Sequence, residues 1–328
     1  MAGENFFEDS DLESVTDVMS PLADPIVEKI FKDEITAGMA AGSFIGAVLA
    51  ECGEKFGKVV RLRTQARLMG LENRRGCIVD VLAVSDTNRI IFQEVQLYYD
   101  SSILQRNILS ASHLITETAE KGTKSKEMAS RMPYISAINI LGHVNNCRKE
   151  NKEILQPVHL VYDKEPRNVA IRQFSVFNLQ LPYMNSVKEE FSNPFYCWCR
   201  LLYEMHFNKK LPAEVYAMEP GIKEFVGSDP GAEQFVSRYD DVTADPDVRQ
   251  EYFDWYMCTL RENTRLNDAK EEGREEGREE GREEGREEGR TENMLKVAKT
   301  AIAKNLPVEL IEELSGLTRA EIEELQRQ

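Results

Sequence analysis

No stretch of this 328-residue chain approaches the ~18–20 consecutive apolar residues that a membrane span requires, so no membrane role is expected. The opening residues, MAGENFFEDS, are acidic and lack the basic start and apolar segment of a secretory signal, which points to the cytoplasm. The six cysteines, at 52, 77, 147, 197, 199 and 258, form no CxxC pair and keep no His-rich spacing. Cys197-Trp198-Cys199 is too tight for a zinc knuckle, so all six read as reduced thiols, mostly buried. Positive charge is also short. With 41 Lys+Arg against 57 Asp+Glu the net charge is −16, unlike that of a general nucleic-acid binder. The deficit is uneven: residues 1–57 hold 12 acids and 3 bases, whereas residues 58–148 hold 13 bases and 8 acids. That local excess fits either contact with a phosphate backbone or a solvated mixed surface.

The basic segment contains the stretch around which the chain is organised, Gly76 to Leu97, GCIVDVLAVSDTNRIIFQEVQL. Cys77 to Val84 is apolar and rich in β-branched residues, Ser85-Asp86-Thr87-Asn88 is turn chemistry, and Arg89-Ile90-Ile91-Phe92 restarts the apolar pattern, which predicts a hairpin. Asp80 interrupts the first strand, where an unpaired carboxylate is costly, so it needs a partner, a metal or an open cleft. On the second strand, period-2 alternation puts Glu94 and Gln96 on one face and Gln93 and Val95 on the other. In a suitable register Asp80 and Glu94 converge into a hard oxygen site suited to Mg²⁺ or Mn²⁺. A second reading also stands, with Asp80 a satisfied buried polar residue and Glu94 and Gln96 the solvated face of an edge strand.

Asp80 followed by Glu94-Val95-Gln96 resembles the D…(D/E)-x-K signature of PD-(D/E)XK nucleases. It resembles most the recombination-promoting nuclease and putative transposase branch, in which Gln commonly replaces the motif Lys. The resemblance implies an α/β (α+β) restriction-endonuclease-like core, a mixed sheet flanked by helices, and a Mg²⁺- or Mn²⁺-dependent DNA endonuclease in a recombination or mobile-element context. It implies Asp80, Glu94 and Gln96 as catalytic residues, with Asp80, Glu94 and the Val95 backbone carbonyl as metal ligands. It further implies an acid from the first helix, for which Glu28 is the candidate and Asp24 its competitor, and an Arg106 or Gln105 that orients the scissile phosphate. Gln96 cannot carry positive charge toward the transition state, so the alternative is a nuclease-fold protein that binds nucleic acid or a partner without cutting.

Along the chain, residues 1–20 read as a disordered acidic tail. Residues 21–185 read as the nuclease-like core. Its first helix spans 22–31, with Asp24 as N-cap and Pro25 in the first turn. Arg61, Arg63 and Arg67 fall on one side of a first strand, available to phosphates or simply solvated. Residues 186–268 are expected to be a helical extension whose aromatics serve packing more than base stacking. Residues 269–290 carry the Glu-Glu-Gly-Arg repeat, in which i,i+3 pairs support a helix while each Gly costs roughly 1 kcal/mol, predicting a fraying, solvated spacer. Residues 291–328 form a small amphipathic helical module. Its glutamates are the wrong charge for a DNA reader, so homo-oligomer formation or partner docking is the expected role.

Overall fold

The computed structural model describes residues 18–32, 37–68, 77–118, 132–143, 153–162, 164–187 and 192–327. Of the segment 1–20 expected to be a disordered tail, residues 1–17 lie outside the described residues, whereas its end is ordered by burial. Met19 and Ser20 are buried, the Met19 carbonyl accepts from the Tyr239 hydroxyl and the Ser20 N–H donates to the Tyr252 hydroxyl oxygen. The chain divides into two compact units, Met1–Tyr256 and Met257–Gln328.

The first unit opens with helices α1 (Asp24–Ile30) and α2 (Ala37–Glu51). Strands β1 (Val59–Leu68), β2 (Cys77–Ser85) and β3 (Arg89–Gln96) follow, then α3 (Ile103–Thr118) and strands β4 (Tyr134–Leu141), β5 (Leu155–Tyr162) and β6 (Glu165–Gln180). These make one six-stranded sheet in the order β1-β2-β3-β4-β6-β5. β1, β2 and β3 pair antiparallel as a meander, β3, β4 and β6 pair parallel, and β5 returns antiparallel on β6. The centre strand β4 is apolar along nearly its whole length because both of its faces are covered.

After a 3₁₀ turn at Leu181–Ser186 come α4 (Pro194–Phe207), α5 (Pro212–Met218), α6 (Pro220–Ser228), α7 (Pro230–Ala244) and α8 (Pro246–Ala303). Each of α4 to α7 starts with a proline in its first turn, where a missing N–H costs nothing. One sheet face carries Leu62, Val81, Ala83, Ile91, Ile138, Ile140, Phe177 and Leu179, packed against α1, α2, α4 and α7 around Trp198. The opposite face carries Leu82, Ile90, Phe92, Ile135, Ala137 and Val176 and is covered by Ala111 and Leu114 of α3. A helix–sheet–helix sandwich of this kind is an α/β nuclease-like architecture with a mixed sheet flanked by helices.

The β1/β2 ladder has an irregularity that sequence pattern does not reveal. Leu62, Val81 and Ala83 face the first core, yet Ala66 and Val79, register partners two positions further on, face the second. The faces exchange where the register skips Gln65 and Asp80, and there Gln65 takes a left-handed φ of 45°. A non-glycine residue is held in that region only when its surroundings over-determine it. The exchange also corrects the expectation for the arginines. Arg61 and Arg63 oppose Val84 and Leu82, on the face of the second core, whereas Arg67 opposes Ile78 on the other side of the sheet.

The second unit is the remainder of α8 with α9 (Val308–Ser315) and α10 (Arg319–Arg327) around a core of Ala298, Ala301, Ile311, Leu317 and Ile322. Gly316, at φ 74°, ends α9, and the Thr318 N–H and hydroxyl both donate to Glu321 to open α10. The Glu-Glu-Gly-Arg repeat is exposed throughout and forms part of the unbroken helix α8.

Candidate active site

The β2/β3 ladder ends at the Val81–Gln93 pair. Two residues beyond Gln93, the Val95 N–H finds its acceptor in a side chain, donating at 2.8 Å to Oδ2 of Asp80, the residue next to Val81. Asp80 therefore stands where the two strands separate, its backbone displaced by the Gln65 irregularity. Gln65 Nε2 approaches Asp80 Oδ1 at 3.5 Å. Glu94 is buried on the face covered by α3 and meets Arg106 of that helix, Nη2 to Oε2 at 3.2 Å. The same guanidinium reaches Gln96 Oε1 at 3.4 Å and Asp100 Oδ2 at 2.9 Å. Asp100 is itself fixed by the Ser102 N–H at 2.7 Å and hydroxyl at 2.6 Å.

The register of α3 is set by a buried amide chain. Asn107, next to Arg106, donates to Asn139 Oδ1 at 3.1 Å, and Asn139 donates to Asn178 Oδ1 at 2.7 Å. Asn139 is the direct β4 partner of Glu94, and Asn178 is the β6 partner of Asn139. Successive residues of α3 thus grip successive strands along one row, and the guanidinium is delivered to Glu94. Three polar residues inside an otherwise apolar face remain satisfied in this way.

α1 supplies a further acid. The N-cap of α1 is Ala23, so the Asp24 carboxylate is not spent on capping; it hydrogen-bonds the Trp255 side chain of α8. Its charge reaches both Asp80 and Glu94 and pushes their carboxyl groups toward the protonated form. Glu28 is half-buried on the same helix and interacts with the adjacent Lys29. Gln105 is exposed on α3, and among the described residues no hydrogen bond joins it to these carboxylates. Arg61 and Arg63 are exposed on β1.

Burial first and then the nearby Asp80 charge, only partly offset by Arg106, raise Glu94 to about 8. Asp80 is raised by burial, then partly lowered by the Val95 N–H. Asp24 is raised by burial too. The folded protein therefore holds a proton on Glu94 up to about pH 8, whereas the unfolded chain releases it near 4.5. Across that interval the folded state binds more protons, so stability falls as pH rises. His206, buried and lowered to about 4, acts in the opposite sense below its ordinary 6.5, as does the lowered His143. The melting temperature in EDTA is thus expected to fall most clearly above the ordinary histidine pKa of 6.5 and up to the Glu94 value of about 8. Glu94→Gln should flatten the slope, and a slope unchanged in that variant would show that another group causes it.

The donor set fits a small divalent cation. Two carboxylates that repel each other already draw in one guanidinium, which shows that the place favours positive charge. Among the described residues no group of three or more His, Cys, Asp or Glu side chains is close enough to hold a metal. Mg²⁺ characteristically takes one or two carboxylates and keeps several waters, so a two-carboxylate site suits it better than it suits zinc. The sequence carried no signal for Gln65, Asp100 or the amide row, since each acquires its role through register.

A family model for PD-(D/E)XK nuclease family transposases matches residues 34–256, spanning all six strands and the acidic hairpin. No curated protein and no solved structure gives a significant match. Two thirds of the chain fall within that match, on a mixed sheet with flanking helices, and the protein belongs to the PD-(D/E)XK nuclease family transposases.

Proposed function

We propose that the protein is a metal-dependent DNA endonuclease that hydrolyses phosphodiester bonds, in a recombination or mobile-element context. The observation that carries this reading is the convergence of Asp80 and Glu94 where β2 and β3 separate, both proton-retentive and both within reach of one guanidinium. Asp80, Glu94 and the Val95 carbonyl are assigned as the ligands of Mg²⁺ or Mn²⁺. Bound there, the ion would acidify a water and neutralise charge on the phosphoryl oxygens.

The chain's own residues do the remainder. Asp80 and Glu94 release their protons on loading, which makes affinity rise with pH over the interval in which Glu94 titrates. Gln96, bonded to Arg106, is placed to orient a water by hydrogen bonding, and Arg106 is assigned to the scissile phosphate. Gln105, Arg61 and Arg63 are assigned to the flanking phosphates. Asp24 is the α1 acid favoured to act on the site through water, ahead of Glu28. A cytoplasmic location fits this role, and among the described residues no helix is long and apolar enough to cross a membrane. The helices of residues 291–328 are assigned to self-association.

The test is nicking of supercoiled plasmid with Mg²⁺ or Mn²⁺, alongside EDTA and a Mn²⁺ titration. Cleavage that stops in EDTA and returns with added metal is expected. Saturable Mn²⁺ binding without cleavage would instead favour a nuclease-fold binding module, a reading that Gln96 supports because it replaces the motif Lys. Absence of both would sink the metal assignment.

A further inference from the structure

Resting on that reading, we infer that the substrate is DNA presenting unpaired bases next to the scissile phosphate, held by stacking on an aromatic rim around the acidic centre. Tyr98 and Tyr99, directly after β3, are 50% and 60% exposed. Tyr99 stands edge-on to His143 with centroids 5.5 Å apart. Tyr98 lies close enough to Tyr252 of α8 for the two phenols to interact electrostatically. Tyr252 is 5.6 Å from Trp255 and stacks on Tyr256 at 6.5 Å, and Trp255 hydrogen-bonds Asp24. Two separate elements thus bring aromatic rings to the border of the same carboxylates. Tyr252 is buried in the core like Phe195, Trp198, Phe235 and Tyr239 and backs the rim, so Tyr98, Tyr99 and Tyr256 are the exposed rings of this cluster.

The charge balance selects the kind of DNA. Duplex binding draws its affinity from many Lys and Arg contacts to phosphate. Here the centre holds Asp24, Asp80, Glu94 and Asp100, and the guanidinium facing them, Arg106, is already shared among Glu94, Gln96 and Asp100. Arg61 and Arg63 are left for flanking phosphates, so next to the acidic centre itself affinity is drawn from a term that tolerates negative surroundings. Base stacking is such a term, and π-faces become available only when bases leave the helix.

The experiment is fluorescence anisotropy of the full chain in Ca²⁺ with a labelled short single strand and with the same strand annealed to its complement. Tighter binding of the single strand is expected. Tyr99→Ala should weaken that binding about five- to a hundredfold, the loss of one stacked base, and Tyr99→Phe should recover most of it. Both substitutions are at an exposed position, so an unchanged melting temperature certifies the fold. Equal affinity for duplex and single strand, or a Tyr99→Ala protein that binds like wild type, overturns the inference while plasmid nicking keeps the nuclease. No binding of either form together with no nicking overturns both and makes the rim a protein-docking surface.

Discussion

Asp80→Asn and Glu94→Gln are each expected to lower the rate of metal-dependent plasmid nicking by at least ~10²–10³-fold, the scale on which removal of one principal electrostatic group acts. The two losses should be strongly non-additive, because residues acting as one unit fail together. They should differ in what else changes. Asp80→Asn keeps the shape at the strand junction but weakens acceptance of the Val95 N–H, which now meets an amide oxygen in place of a carboxylate. Glu94→Gln removes a buried acid whose ionisation is disfavoured, so its melting temperature should hold or rise while activity is lost. Nicking rates and melting curves on the same preparations separate catalytic loss from unfolding. A variant that nicks at the wild-type rate would remove its residue from the site.

The hairpin and the two carboxylates were legible because their signals are local: β-branched runs, a four-residue polar turn, and one acid per strand. Alternation also placed Glu94 and Gln96 on one face correctly, since β3 is regular through Gln96. Prediction fails where a long-range contact overrides local pattern. Asp24 reads as a cap because Asp before Pro usually is one, yet Ala23 occupies that position, and the carboxylate is directed toward Trp255, far away in sequence. Gln65 at positive φ leaves no trace in composition, and it moves Arg67 to the opposite face from Arg61 and Arg63. The Glu-Glu-Gly-Arg repeat shows another balance. Its glycines argue for fraying, but flanking helical segments at both ends supply the nucleus that an isolated repeat would have to build for itself.

Trp198→Ala is expected to destabilise the first unit by ~3–5 kcal/mol, the range for deleting a large buried aromatic. Trp198 is 1% exposed and meets Phe44, Phe225 and Phe235 edge-on, with centroids 5.7, 6.0 and 5.2 Å away. It therefore ties α2, α4, α6 and α7 to one another beneath the sheet. Its indole N–H donates to Ser43 Oγ at 3.0 Å, and Ser43 donates to Asp229 Oδ2 at 2.9 Å. Asp229 in turn caps α7, accepting from the Gly231 and Ala232 N–H groups at 2.8 and 2.9 Å. A Cβ on Gly231 would collide with the Met39 carbonyl, so α2 and α7 cross too closely to relax into the void left by the ring. Trp198→Phe separates the two contributions. It keeps most of the volume and loses the donor, so about 1–2 kcal/mol of the total is expected from it, with Ser43 retaining its bond to Asp229. Chemical denaturation of the three proteins measures both values. A Trp198→Ala loss below about 1 kcal/mol, within the range of surface substitutions, would mean that the helical layer does not depend on this ring. In that case the alignment of α1 and the start of α8 around Asp24 would need another cause, because both elements rest on the same core through Ile26, Ile30, Val248 and Tyr252.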